Sequence, residues 1–160
     1  MSKSKNFGII ETNPISVSGV EGTITYLDNL RVNGKRIIFH RLGCYGIDSI
    51  DNMLDHYEIV SIDGKFWGDL YFDMYHSCNL NILPDDKRYS WHRYSSATKV
   101  EDLKKNFGTN AYCDNFPFDV PNAMEEGGRG LMFDTDLKIL SNELKSILSN
   151  NEFKKRRKKN

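Results

Sequence analysis

The chain has only three cysteines, Cys44, Cys78 and Cys113, and no C-x-x-C spacing among them. A set so sparse and odd in number does not make a disulfide framework, and it fits a reduced, cytosolic protein. No apolar run reaches the roughly 18 residues of a membrane-spanning helix, so no membrane partner is expected. The opening stretch, Met1 to Phe7, has no apolar segment of secretory-signal length. No internal repeat recurs at solenoid spacing. The run Gly127-Gly128-Arg129-Gly130 lacks the Lys-Ser/Thr ending of a phosphate-binding loop. With no other nucleotide or cofactor motif present, no cofactor is implied. Nor does any catalytic motif stand out, so the expectation leans away from an enzyme.

What is present suits one folded unit. The 160 residues are 39 % apolar and include nine Phe, eight Tyr and two Trp, enough for one packed core. The formal net charge is zero but unevenly spread. Residues 154–159 are six consecutive cations, which leaves sixteen basic against twenty-two acidic residues in the rest of the chain. An acidic body is therefore joined to a basic tail. We expect a single domain over residues 1–153 and a disordered tail over 154–160. That tail suits solubility, the dipole of a preceding helix, or weak attraction to nucleic acid.

The strongest local signals are Asn33-Gly34 and Asp63-Gly64, each set between two apolar-alternating runs. Both dipeptides suit the positive φ angles of a type I′ turn. They predict a first hairpin over 22–32 and 35–42 and a second over 57–62 and 65–76. A short strand is expected over Phe7–Ile10 and another over Arg88–Tyr94. Asp48 is positioned to cap a short helix to His56, with Ile50, Met53 and Leu54 at helical spacing. Thr98 and Glu101 read as a capping box for a helix that carries Val100, Leu103 and Phe107 and stops at Gly108. Leu131–Phe133 reads as a strand. Asp134 or Thr135 then opens a last helix whose stripe is Leu137, Leu140, Leu144, Ile147 and Leu148. The expected class is α+β: a mostly antiparallel sheet built from two β-hairpins, with two to three helices packed on one side.

Turn length fixes register, and register assigns side chains to faces. In the first hairpin Tyr26, Leu30, Val32, Ile37 and Phe39 point to the core. On its other face Arg31 opposes Arg36 and His40 opposes Leu27. Two opposed guanidinium groups repel unless an anion such as phosphate lies between them; the plainer reading is that both splay into solvent. In the second hairpin Val60 opposes Trp67 and Glu58 opposes Asp69, and Tyr71, Asp73 and Tyr75 continue that face. Phe66, Leu70, Phe72 and Met74 take the core side. A surface of Glu58, Trp67, Asp69, Tyr71, Asp73 and Tyr75 suits a protein partner, because Tyr and Trp are rigid anchors. Opposed carboxylates could also form an acid–base pair or share a divalent cation, and an ordinary solvated face is the plainest account.

Other constellations are weaker. His40 with Cys44 and His76 with Cys78 make a conceivable zinc set or Cys–His nucleophile, at spacings no zinc finger uses. Tyr89, Trp91 and Arg93 share one face of the expected 88–94 strand, with Arg88, His92 and Tyr94 opposite. Rings interleaved with cations suit single-stranded nucleic acid, while long cations on an edge strand also block unwanted pairing. Asp85, Asp86 and Lys87 are contiguous, which is wrong for a nuclease site assembled across strands. The leading expectation is a non-enzymatic, cytosolic binding protein of inhibitor, immunity or assembly-subunit type, recognising a protein through the aromatic–acidic face. The alternatives are nucleic-acid binding through Arg31, Arg36, Arg88, Trp91, Arg93 and the tail, and a metal-dependent hydrolase built on Glu58, Asp69 and Asp73.

Overall fold

A computed structural model describes residues 5–76, 82–92, 105–129, 132, 134–150 and 153. In chain order the elements are β1 (Ile15–Ser16), α1 (Gly19–Asn29), β2 (Leu30–Val32), β3 (Ile37–Ile47), β4 (Ile50–Ser61), β5 (Trp67–Asp73), β6 (Tyr89–Trp91), β7 (Phe107–Gly108), α2 (Val120–Ala123) and α3 (Asp134–Leu148). A π-helical turn, Met124–Gly128, follows α2 directly. Five strands form one sheet in the order β1-β5-β4-β3-β7, and β2 and β6 form a separate ribbon.

The class is α+β, but the sheet is mixed. β3, β4 and β5 run antiparallel in chain order, whereas β1 joins β5 and β7 joins β3 in parallel. The helices also divide between the two faces. Ile24, Tyr26 and Leu27 of α1 pack with Phe39, Leu70 and Phe72 on one face. On the other, Val120, Leu140, Leu144 and Leu148 of α2 and α3 pack with Ile38, Val60 and Phe107. The expectation of helices on one side only is therefore corrected. Each sheet face has its own apolar core.

The Asn33-Gly34 turn forms as expected, with φ of 52° and 76°, and Lys35 donates its amide to the Val32 carbonyl at 2.9 Å. The hairpin around it does not form. Residues 19–29, expected mostly in its first strand, are α1, with Thr23, Ile24, Leu27 and Asp28 buried at helical spacing. Beyond the turn the chains part: Arg31 pairs with Ser90 of β6, and His40 pairs with Glu58 of β4. Arg31 therefore does not oppose Arg36, and His40 does not oppose Leu27.

The helix expected from Asp48 is also replaced. Ile47 pairs with Ile50, so Asp48-Ser49 is the turn of a long β3–β4 hairpin. β3 runs through Gly43 and Gly46, where breaks were expected, and two register shifts absorb them. The second hairpin keeps its expected register, with Val60 against Trp67 and Glu58 against Asp69. Its turn closes with Gly64 as the only left-handed residue of the Asp63-Gly64 pair. Phe7–Ile10 forms turns rather than a strand, and β1 lies further along at Ile15. Tyr89–Trp91 is a strand as expected.

Of the helix expected from Thr98, residues 98–104 lie outside the described residues, and Phe107-Gly108 is strand β7. Gly108 is required there by contact, since a Cβ would lie 2.3 Å from the Phe39 ring. Leu131, Phe133 and the tail 154–160 lie outside the described residues. The last helix forms, and Leu140, Leu144 and Leu148 of its stripe are buried.

Candidate functional site

The face of the sheet that carries Glu58, Trp67, Asp69, Tyr71 and Asp73 is divided. At one end lies the second apolar core. Trp67 packs against that core, and its ring meets Phe116 edge-on at 5.9 Å. Residues 109–119 form a strap that starts at the β3 edge, where Thr109 donates its amide to the Phe39 carbonyl at 3.2 Å. The strap then crosses the face. Phe116 stacks on His40 at 3.9 Å, with Tyr112 flanking the imidazole at 5.5 Å. Glu58 is therefore buried and Trp67 is partly covered by Phe116, while Asp69 and Tyr71 are half-buried and Tyr75 is exposed.

The three carboxylates of this face each meet a histidine. His40, fully buried, places Nε2 2.9 Å from Glu58 Oε1. Its Nδ1 accepts the Cys113 amide proton at 3.0 Å. A nitrogen that accepts carries no proton, so this imidazole is neutral and its Nε2–H donates to Glu58. His56 Nε2 lies 3.7 Å from Asp69 Oδ1, in ion-pair range but too long for a hydrogen bond. That ring stacks on Tyr71 at 4.3 Å. His76 Nε2 lies 2.8 Å from Asp73 Oδ2. Asp73 is itself buried, and also accepts from the Tyr75 amide and from Asn52 Nδ2.

Glu58 and Asp69 are cross-strand neighbours, but a histidine, not the other carboxylate, is the ion-pair partner of each. The sequence carries His40, His56 and His76 openly; pairing His40 with Glu58 needs the β3–β4 register, while His56 meets Asp69 across β4–β5 and His76 lies three residues from Asp73. Tyr45 and Glu11 complete the open half. Tyr45 Oη donates to Glu11 Oε2 at 2.7 Å and adjoins the Tyr71 hydroxyl. Burial first, then neighbouring carboxylates, push both phenols above their ordinary range. Both stay protonated, the Tyr45 proton being committed to Glu11.

Among the described residues, no zinc or nucleophile set is assembled. Both ring nitrogens of His40 are engaged, leaving no lone pair for a metal. Cys78 lies outside the described residues. Among the described residues, no group of three or more His, Cys, Asp or Glu is arranged to hold a metal ion. Cys44 is exposed. The Cys113 thiol is pushed up to about 12 by burial and by the carboxylate of Asp119, which keeps it protonated and unreactive.

The cationic residues are engaged within the protein. Arg31 is buried and donates through Nη1 to the carbonyls of Asp28 and Leu30 and to Asn106 Oδ1. Arg36 grips Glu143 at 2.7 Å, donates to the Lys105 carbonyl and lies over the Phe107 ring. Arg88 forks onto Asp86 and covers the Phe66 ring. The Trp91 ring meets Tyr26 edge-on at 4.9 Å beside the first core, which occupies it as a packing residue. Asp85 accepts the Asn6 amide, and Asp86 accepts the Arg88 amide, so both acids brace turns. Arg93 lies outside the described residues.

Comparison with family models, with curated proteins and with solved structures finds no match. The residues and their geometry alone carry the functional reading.

Proposed function

We propose that this is a non-enzymatic binding protein that takes a basic segment of a protein partner on the open half of the divided face. One observation carries the reading. Asp69 and Tyr71, joined by Tyr45, His56 and Glu11, set aromatic rings and carboxylates together, held by one another, and Tyr75 follows two residues beyond the end of β5. The Tyr75 side is open, with that residue 61 % exposed. Ordered rings lose little entropy on binding and act as anchors, and the carboxylates attract cations during encounter. Trp67, partly buried against the second core, supports this patch and is not itself a contact residue.

The test is affinity capture with the wild type and with Tyr75→Ala, Tyr71→Ala and Asp69→Asn. The reading expects a protein bound by the wild type, resistant to nuclease treatment, weakened by salt and lost from the three variants, all of which keep the wild-type circular dichroism. A captured protein held equally by all three variants overturns it.

A further inference from the structure

The two glycine turns carry the same reactive chemistry, and the fold leaves one of them open. Asparagine is a thermolabile side chain, and a glycine after it places no side chain beside the amide nitrogen that attacks it. Asn33-Gly34 is the only Asn-Gly pair in the chain, and Asp63-Gly64 is the only Asp-Gly pair. We propose that Asn33 is a self-modifying site, at which the folded protein exchanges a side-chain amide for an acid with water as the only co-reactant.

The Gly34 amide nitrogen loses its proton and bonds to Cγ of Asn33. The bond from Cγ to Nδ2 breaks, and Nδ2 leaves as ammonia, carrying off that proton. Water then opens the five-membered imide at one of its two carbonyls, adding hydroxyl to the carbon and hydrogen to the nitrogen. Opening at Cγ restores the ordinary chain with aspartate at position 33. Opening at the main-chain carbonyl gives isoaspartate, in which the chain runs through the side-chain carbons. That adds a carbon to the main chain inside the turn, and it should open the Val32–Lys35 bridge.

The geometry separates the two turns at the reacting atoms. Asn33 and Gly34 are both exposed, and a Cβ on Gly34 would meet nothing within 4 Å. The flanks are held: the Asn33 amide donates to the Arg88 carbonyl at 2.8 Å, and Lys35 donates to the Val32 carbonyl at 2.9 Å. Among the described residues, neither the Gly34 amide nor the Asn33 side chain has a hydrogen bond to give up. Nucleophile and target are therefore free to approach one another on an anchored loop, which is the condition for a fast intramolecular step.

Asp63-Gly64 is the reverse. The Gly64 amide donates to the Ser61 carbonyl at 2.8 Å, and the Phe153 ring lies 3.5 Å from where a Gly64 Cβ would be. Asp63 Oδ1 accepts from Ser61 Oγ at 2.6 Å and from the Lys65 amide at 3.1 Å. Burial opposes ionisation there, yet these bonds and the nearby lysines hold the carboxyl below its ordinary range. Closure at Asp63 needs a released amide and a protonated carboxyl, and the fold withholds both.

Peptide mapping by chromatography and mass spectrometry tests this on the full chain, incubated in mildly alkaline buffer at physiological temperature. Folded protein is compared with protein in urea above its unfolding midpoint, so that each turn is measured against its own unfolded rate. We expect the Asn33 peptide of the folded protein to gain acid mass and split into aspartate and isoaspartate forms, within about tenfold of its unfolded rate. Isoaspartate at Asp63 should form at least about tenfold more slowly in the folded protein than in urea. Folded protein that keeps its Asn33 amide while the unfolded chain loses it overturns the proposal. So does a fold that slows both turns by the same factor.

Discussion

Asp28 and Arg129 show what one buried charge demands of its neighbours. Arg129 is fully buried, and its Nη2 donates to Asp28 Oδ1 and to the Asn106 carbonyl. Its Nε and Nη1 have no hydrogen-bond partner among the described residues. Lys105 also lies 3.7 Å from Asp28, so a single carboxylate answers two cations. Burial pushes Asp28 up and Arg129 down, and their pairing offsets part of each shift. Removing one member leaves the other buried and uncompensated. Asp28→Asn should therefore cost about 3–5 kcal/mol of stability, read as a fall in the urea midpoint. A loss below about 1 kcal/mol, the value of an exposed pair, would show that Arg129 is not held in the interior this way.

At the scale of elements, contact overrides local preference in several places. The segment Thr23-Ile24-Thr25-Tyr26 is rich in residues that favour strands, yet it is helical because Ile24 and Leu27 find a sheet to cover. β7 is two residues long and is placed by a void: Gly108 fits because the Phe39 ring occupies the space a side chain would need. Gly108→Ala should lower stability by about 1–3 kcal/mol through overpacking, with exchange protection lost first at Thr109 and Phe107. A thermal midpoint equal to that of wild type would refute the placement of β7. The contact of α3 with the π-helical turn joins Met124 in the second core to a polar cluster. Ser141, Lys138 and Lys145 all bond the Glu125 carboxylate and lower it to about 2. The folded-state pKa is below the unfolded one, so this contribution is complete above the ordinary glutamate range. It is lost as pH falls from that range to about 2. Glu125→Gln should flatten the acid limb of the stability curve over that window, and an unchanged limb would show the cluster to be inert.

Across the whole molecule, what was legible depended on which contacts were local. The Asp63-Gly64 turn is local, and it placed Val60 against Trp67 and Glu58 against Asp69 correctly. The apolar stripe of α3 was equally plain. The histidine partner of Glu58 was not. A straight ladder from Ile47 and Ile50 would set His40 opposite Tyr57, and only the register shifts between Arg41 and Gly43 and between Tyr45 and Ile47 bring Glu58 opposite it. Bulges are poorly marked in sequence, although Gly43 lies at one of them. Nor did any local signal announce the second core. Trp67 was expected on an outer surface and lies against Phe116, because α2, α3 and the strap cover that end of the sheet.

A face divided into a structural half and a recognition half is the central claim, and one paired measurement tests it. Urea unfolding and capture of the same partner are read on Trp67→Ala, Tyr75→Ala and Asp69→Asn. Trp67→Ala should lose about 1–3 kcal/mol, as a partly buried aromatic packed against a core does. Tyr75→Ala and Asp69→Asn should stay within about 0.5 kcal/mol of wild type and lose the partner. A Trp67→Ala protein as stable as wild type, or Tyr75→Ala and Asp69→Asn proteins that hold the partner undiminished, would contradict the division.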